Sequence, residues 1–174
     1  MATELKTIAE YLNNNDWKYY TDAKNDRIVT GVKADNIEQF LISIQLSENG
    51  EFIQFIVPEI LKVKDHVFKG LLFQTMLTIQ NEIKMLRFGY DPDDGEIYGF
   101  IDFPLEDGVL TEKQFNRALK ALIYLVDTTA MPRLKAVLAT GNDPGKKNTV
   151  EELLDALPDD LVAMLAQAIA SRQQ

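Results

Sequence analysis

Asp91, Asp93 and Asp94 fall within the stretch Asp91-Pro92-Asp93-Asp94-Gly95 and are the nearest this sequence comes to a cation-binding loop. An EF-hand loop takes oxygen donors from its positions 1, 3 and 5 and turns on a glycine at 6. Here Gly95 stands fifth from Asp91. The segment therefore reads as a solvated hairpin turn, with Pro92 presetting one dihedral and Gly95 able to take a positive φ. His66 is the sole histidine and there is no cysteine. No His pair or triad, Cys-based zinc or iron–sulfur site, disulfide or thiolate nucleophile can be built. Beside Asp65, His66 reads as a helix-start or surface residue in preference to a general base.

Glu151-Glu152 and Asp159-Asp160 pair carboxylates as acid–base machinery does. Each pair lies in the first turn of a predicted helix, where negative charge meets unpaired N–H groups. Lys146-Lys147, the longest basic run, reads as linker solubility. Glu82 and Glu96 remain as scattered carboxylates, and no nucleophile, base and oxyanion donor can be grouped with them along the chain. GxGxxG and Walker loops, G-x-S-x-G and H-E-x-x-H are all absent. The residues predict no catalytic centre, no cofactor and no metal site.

What remains is surface, and the elements that would carry it are well marked. The 174 residues are 46% apolar with nine phenylalanines, enough for a core that needs no staples. Eighteen Lys+Arg against 27 Asp+Glu give a formal net charge of -9. Such a field repels nucleic acid and anionic lipid, so neither is an expected partner. Met1-Ala2-Thr3-Glu4-Leu5-Lys6 lacks the basic-then-apolar order of a signal peptide, and no apolar window approaches the roughly 18 residues of a membrane span. The expectation is a cytoplasmic protein.

Leu5, Ile8, Ala9 and Leu12 share one face at helical spacing, with Thr3 as the expected N-cap. Arg27 to Ala34 and Gln39 to Leu46 read as strands; in the second, Phe40, Ile42, Ile44 and Leu46 alternate with Leu41, Ser43 and Gln45. That alternate face should meet water. Asn49-Gly50 supplies a hairpin turn, and Glu51 to Val57 returns before Pro58. From Asp65 to Ile83 a broad helical stripe appears: Phe68, Leu71, Leu72, Met76, Ile79 and Ile83, widened by Val67, Phe73 and Leu77. Leu86 to Tyr90 and Glu96 to Phe103 form a second hairpin. Thr111 and Gln114 make a capping box, with Leu110 able to staple to Phe115. Pro132 should kink or interrupt the helix that follows.

The order α-β-β-β-α-β-β-α, with turns too short for parallel crossovers, is an α+β fold: an antiparallel sheet with helices packed on one face. The expected organisation is an α+β domain over 1–139, a linker over 140–148 and a helical extension over 149–174. In the extension, Thr149 and Glu152 repeat the capping box, and Leu153, Leu157, Leu161 and Leu165 lead an apolar stripe. If Phe40, Ile42, Ile53 and Phe55 face the helices, then Phe52, Ile56, Tyr98 and Phe100 lie on the opposite sheet face, where a partner would cover them. These four, with the four leucines of the tail, are the candidate partner-binding residues.

The element order over roughly 4–138 resembles the YbjN family, whose fold is similar to that of type III secretion chaperones. The matching stretches are Ile79-Gln80-Asn81-Glu82, Phe88-Gly89-Tyr90-Asp91 through Asp94-Gly95-Glu96-Ile97, Phe103-Pro104-Leu105-Glu106-Asp107-Gly108, Leu110-Thr111 to Phe115, and Met131-Pro132-Arg133-Leu134. The resemblance implies a non-catalytic chaperone or adaptor that holds a segment of a client protein. A structural or regulatory homodimer is the alternative.

Overall fold

Alternation along Gln39–Ser47 sets the frame. Phe40, Ile42, Ile44 and Leu46 are buried and their alternates are not, so this strand, β3, lies with one face on a core and the other outward. In the computed structural model, which describes residues 3–145, β3 sits in a six-stranded, wholly antiparallel sheet. The other strands are β1 (Tyr19–Asp22), β2 (Arg27–Lys33), β4 (Phe52–Lys62), β5 (Arg87–Tyr90) and β6 (Glu96–Pro104). Their order across the sheet is β1-β2-β3-β4-β6-β5.

Helices α1 (Leu5–Asn13), α2 (Lys69–Glu82), α3 (Glu112–Tyr124) and α4 (Met131–Thr140) all pack on the inner face. Ile8 and Leu12 of α1 and Phe115, Leu119 and Leu122 of α3 meet Ile28, Ile42, Ile44, Ile53 and Phe55. The Phe55 and Phe115 rings lie 5.5 Å apart and Tyr11 stands 5.6 Å from Phe115. Each such buried side chain contributes roughly 1.5–3 kcal/mol of transfer free energy. Leu72, Met76 and Ile79 of α2 pack with Leu134 and Val137 of α4 against Val63 and Ile97.

The capping box forms as expected: Gln114 N donates to Thr111 Oγ1 and Thr111 N donates to Gln114 Oε1. Elsewhere the structure departs from the sequence expectation for local reasons. Tyr19–Asp22, passed over in the sequence, is an additional short edge strand paired to β2 alone. β4 does not stop before Pro58 but continues to Lys62, because a register shift between Val57 and Leu61 takes the proline, which has no N–H to give the ladder. Thr3 does not cap α1. Glu4 holds that position, while Thr3 is buried and its Oγ1 accepts from Leu110 N at 3.2 Å. α2 begins at Lys69, not at Asp65. Pro132 stands in the first turn of α4, and the regular α-helix of α3 gives way to a π-helical stretch, Leu125–Ala130, just ahead of it.

Two buried charges tie this helical rod to the rest. Asp127, in the π-helical stretch, is 4% exposed and accepts from the backbone N–H groups of Asp35, Asn36 and Ile37 at 3.1, 2.8 and 2.9 Å. Arg133 of α4 donates to Glu82 Oε2 at 2.7 Å and grips Asp143 with two parallel bonds of 2.8 and 2.6 Å. One anchors the β2–β3 loop and the other joins the end of α2 to the residues after α4. The tail expected to be helical, 149–174, lies outside the described residues.

Candidate protein-binding face

The outer face of the sheet carries no helix among the described residues. Its middle row can be followed strand by strand through the register: Tyr20, Val29, Ser43, Ile56, Phe100 and Arg87. Ile56 and Phe100 are half-buried neighbours at the centre of this row. Tyr98 stands beside Phe100 with ring centroids 5.8 Å apart and planes inclined at 37°. These three expected residues form one patch. Phe52, also half-buried and on the same face, is set apart from it by a polar bar in which Gln54 Nε2 donates to Asp102 Oδ1 at 2.6 Å. Leu153, Leu157, Leu161 and Leu165 lie outside the described residues.

The sequence missed two further members of this face, Leu41 and Tyr20, which are 54% and 69% exposed. Leu41 has the same parity as Ser43 and Gln45, and its two polar neighbours hid it in the alternation. Tyr20 belongs to the strand that short-range signals passed over. Both enlarge the apolar surface beyond what the central patch provides.

A smaller apolar hollow of about 200 Å³ opens at the β5 edge, lined by Phe73, Met76, Leu77, Gln80, Phe88 and Tyr90. Phe73 and Tyr90 meet edge to face at 4.8 Å, and Lys69 Nζ sits 5.8 Å from the Tyr90 ring centroid. Gln80 Oε1 accepts from Phe88 N at 2.7 Å, so a side chain takes an edge N–H that another strand would otherwise seek. Val67 and Leu77, expected to widen the buried stripe of α2, are 84% and 66% exposed. Leu77 points away from the core because α2 meets the sheet only along its Leu72, Met76 and Ile79 side, and Val67 stands ahead of the helix, which begins at Lys69.

Glu151, Glu152, Asp159 and Asp160 lie outside the described residues; the other carboxylates that invited a chemical reading have structural engagements. Asp91 Oδ1 accepts from Asp93 N and Asp94 Oδ1 from Glu96 N, which close the β5–β6 turn. That backbone bond, aided by Lys62, holds the Asp94 carboxyl below its ordinary range despite partial desolvation. His66 Nδ1 accepts from Phe68 N at the entrance to α2. Glu82 is bound to Arg133, and Glu96 accepts from Glu59 N at the β4 bulge. A hollow of about 570 Å³ between the start of α1 and the β3–β4 turn has Glu4, Lys6, Asp26, Ser47 and Glu48 in its lining, and no histidine. Among the described residues no three His, Cys, Asp or Glu side chains are placed to hold a metal ion. No helix of the described residues is long and apolar enough to cross a membrane.

Compared with known proteins, the sequence matches no family model and no curated protein. Solved structures do match it. YbjN from E. coli, whose crystal structure describes it as a candidate transcription regulator, superposes with a TM-score of 0.56 at 12% identity, over 74% of this chain and 89% of that one. The chain has the YbjN fold. The resemblance drawn from Phe88-Gly89-Tyr90-Asp91 and Met131-Pro132-Arg133-Leu134 thus holds at the level of the fold. A chain of the HopA1–SchA chaperone–effector complex is a looser likeness, with a TM-score of 0.47 at 14% identity over 67% of this chain and 84% of that one.

Proposed function

We propose that this chain is a non-catalytic protein-binding module, a chaperone or adaptor that holds a segment of another polypeptide against the outer face of its sheet. One observation carries the reading: Ile56, Tyr98 and Phe100 form an aromatic–aliphatic patch on the sheet face opposite the helices, extended by Leu41 and Tyr20. Anchors of this kind dominate protein interfaces, each contributing about 2 kcal/mol or more when a partner seals it from water. The regulatory role named for YbjN would reach this chain through protein contacts, because a net charge of -9 opposes approach to a phosphate backbone. Affinity isolation of the full chain with mass spectrometric identification, repeated with Phe100→Asp, tests the proposal. A protein retained by the wild type and lost from a folded Phe100→Asp variant supports it. Identical captures by both would remove this face from consideration.

A further inference from the structure

We infer that the solvent side of α3 is a docking surface for an acidic peptide segment of another protein, held by Lys113, Arg117 and Lys120 with one apolar side chain set in the hollow beside Tyr124. α3 packs on the inner face of the sheet through Phe115, Ala118, Leu119 and Leu122. Its solvent side is therefore remote from Ile56, Tyr98 and Phe100, and the inference goes beyond the reading given for that patch.

The first argument is the placement of charge. Lys113, Arg117, Lys120 and Tyr124 recur at the three- and four-residue intervals that bring side chains into one line along a helix. All four are exposed, Tyr124 at 60%. Cations spaced in this way form no basic run along the chain, so the ridge exists only once the helix is in place. Within α3 these charges oppose one another. Lys113–Arg117 and Arg117–Lys120 are like-charge neighbours, which weaken a helix where glutamate–lysine pairs at the same spacings would support it. Lys113 also stands in the first turn, where the helix dipole favours anions. Among the described residues, none of the three cations meets a carboxylate at ion-pair distance. Glu112 is engaged by Asn14 and Asn15, and Asp127 by its three backbone donors. In a chain of net charge -9, this line of cations is left without a use inside the fold.

The second argument is the hollow at the end of the line. It measures about 280 Å³ and lies where the end of β2 meets α3, with Lys33, Lys120, Ile123, Tyr124 and Thr128 in its lining. Asp35 and Asp127 border it too, but with Asp127 taken up by backbone N–H groups the two lysines outnumber Asp35. Small-molecule sites occupy roughly 300–1,000 Å³, so this space suits one apolar side chain of a longer ligand, flanked by carboxylates that the lysines can reach.

The third argument is length. Lys113 to Tyr124 spans roughly 16 Å of helix axis, the reach of about five residues of extended peptide. About three carboxylates on such a segment would match the three cations, in the way basic clusters read acidic motifs. A nucleic-acid duplex of the same length would bring about ten phosphates, far more than the ridge can neutralise. Screening at physiological ionic strength sets in beyond about 8 Å, so a short segment responds to the cations it touches and not to acids elsewhere on the surface.

Selection of a displayed random-peptide library on the full chain tests the inference, with Arg117→Glu/Lys120→Glu as counter-target once circular dichroism shows it folded. The selected peptides should be rich in aspartate and glutamate around an apolar or aromatic residue. Synthetic copies should bind the double variant about tenfold or more weakly than wild type and lose affinity as salt is raised. Arg117→Gln/Lys120→Gln, which removes the charges without reversing them, should weaken binding in the same direction and serves if the reversal disturbs folding. Phe100→Asp should bind the same peptides as wild type does, since the sheet face takes no part. The absence of any selectable peptide, peptides with no acidic bias, or acidic peptides that bind both double variants undiminished would overturn the inference. So would a single-stranded oligonucleotide that displaces the peptides from the ridge. Peptides lost from Phe100→Asp alone would transfer the binding to the sheet face and leave the reading of that face standing.

Discussion

Tyr98 lies across Gly89, its partner in the β5–β6 ladder, so closely that a β-carbon at position 89 would overlap the phenol ring. The ring is therefore laid down on the sheet by the absence of a side chain opposite, and its half-burial comes in part from within the fold. Gly89→Ala would push the ring outward. Because the clash is with the far end of a half-exposed side chain, the expected cost is about 1 kcal/mol, at the low end for overpacking. Urea denaturation measures it; a loss above roughly 3 kcal/mol would mean that the ring cannot leave its place.

Asp127 yields a prediction in pH. Burial pushes its carboxyl up, but the backbone N–H groups of Asn36, Asp35 and Ile37 outweigh that and hold it below the ordinary carboxylate value. A group depressed on folding stabilises the fold above its unfolded pKa and loses that contribution as pH falls through its folded one. The stability gap between wild type and Asp127→Asn should thus be constant from neutral pH down to about pH 4 and shrink below it. At neutral pH the gap should be roughly 2–4 kcal/mol, since an amide offers one acceptor oxygen where three donors converge. Denaturant titrations from acid to neutral pH would show it; a gap that widens in acid is the contrary result.

These residues also separate what could be read in the sequence from what could not. The Thr111–Gln114 cap, the alternation through β3 and the parity of Ile56 against Phe55 are set within a few residues of chain, and all were legible. Asp127 was not, because its partners lie some 90 residues away and nothing near it marks a carboxylate turned inward. The π-helical stretch that turns it escaped for the same reason, although Pro132 marked the neighbourhood in which the helix leaves regular α geometry. β1 escaped because four residues at an edge pair with one strand only, so Tyr20 was missed with it. For the candidate face, the central patch followed from parity, while its division by Gln54 and Asp102 required the pairing of β4 with β6.

Arg133 is the strongest test of the helical rod. Its side chain is 6% exposed and serves two carboxylates that are 28% and 23% exposed. Hydrogen bonding to Asp143, against the opposing effect of burial, raises its pKa from an already high value, so it stays charged at any accessible pH. Arg133→Ala takes the cation away from Glu82 and Asp143, empties a buried site and should cost about 3 kcal/mol. Arg133→Lys should recover less than half of that, because an ammonium cannot reproduce the two parallel bonds to Asp143 while reaching Glu82. Thermal unfolding of the two variants decides the matter; equal stability of lysine and wild type would show that charge alone suffices.

Phe52 and Phe100 share a face but not a surroundings, and the contrast gives a prediction for binding. Phe100 sits against Ile56 and Tyr98, whereas Phe52 pairs with Pro104 and Ser47 beyond the Gln54–Asp102 bar. Water reaches a site beside an exposed polar pair more readily than one enclosed by apolar neighbours, and a central anchor contributes more than a peripheral one. Phe100→Ala should weaken association by about 2 kcal/mol, roughly thirtyfold in dissociation constant, and Phe52→Ala by less than about 1 kcal/mol. The measurement is the self-association or partner affinity of both variants at matched folding stability. If Phe52→Ala proved the more damaging, the working surface would lie on the Pro104 side of the polar bar, and the patch of Ile56, Tyr98 and Phe100 would be its margin.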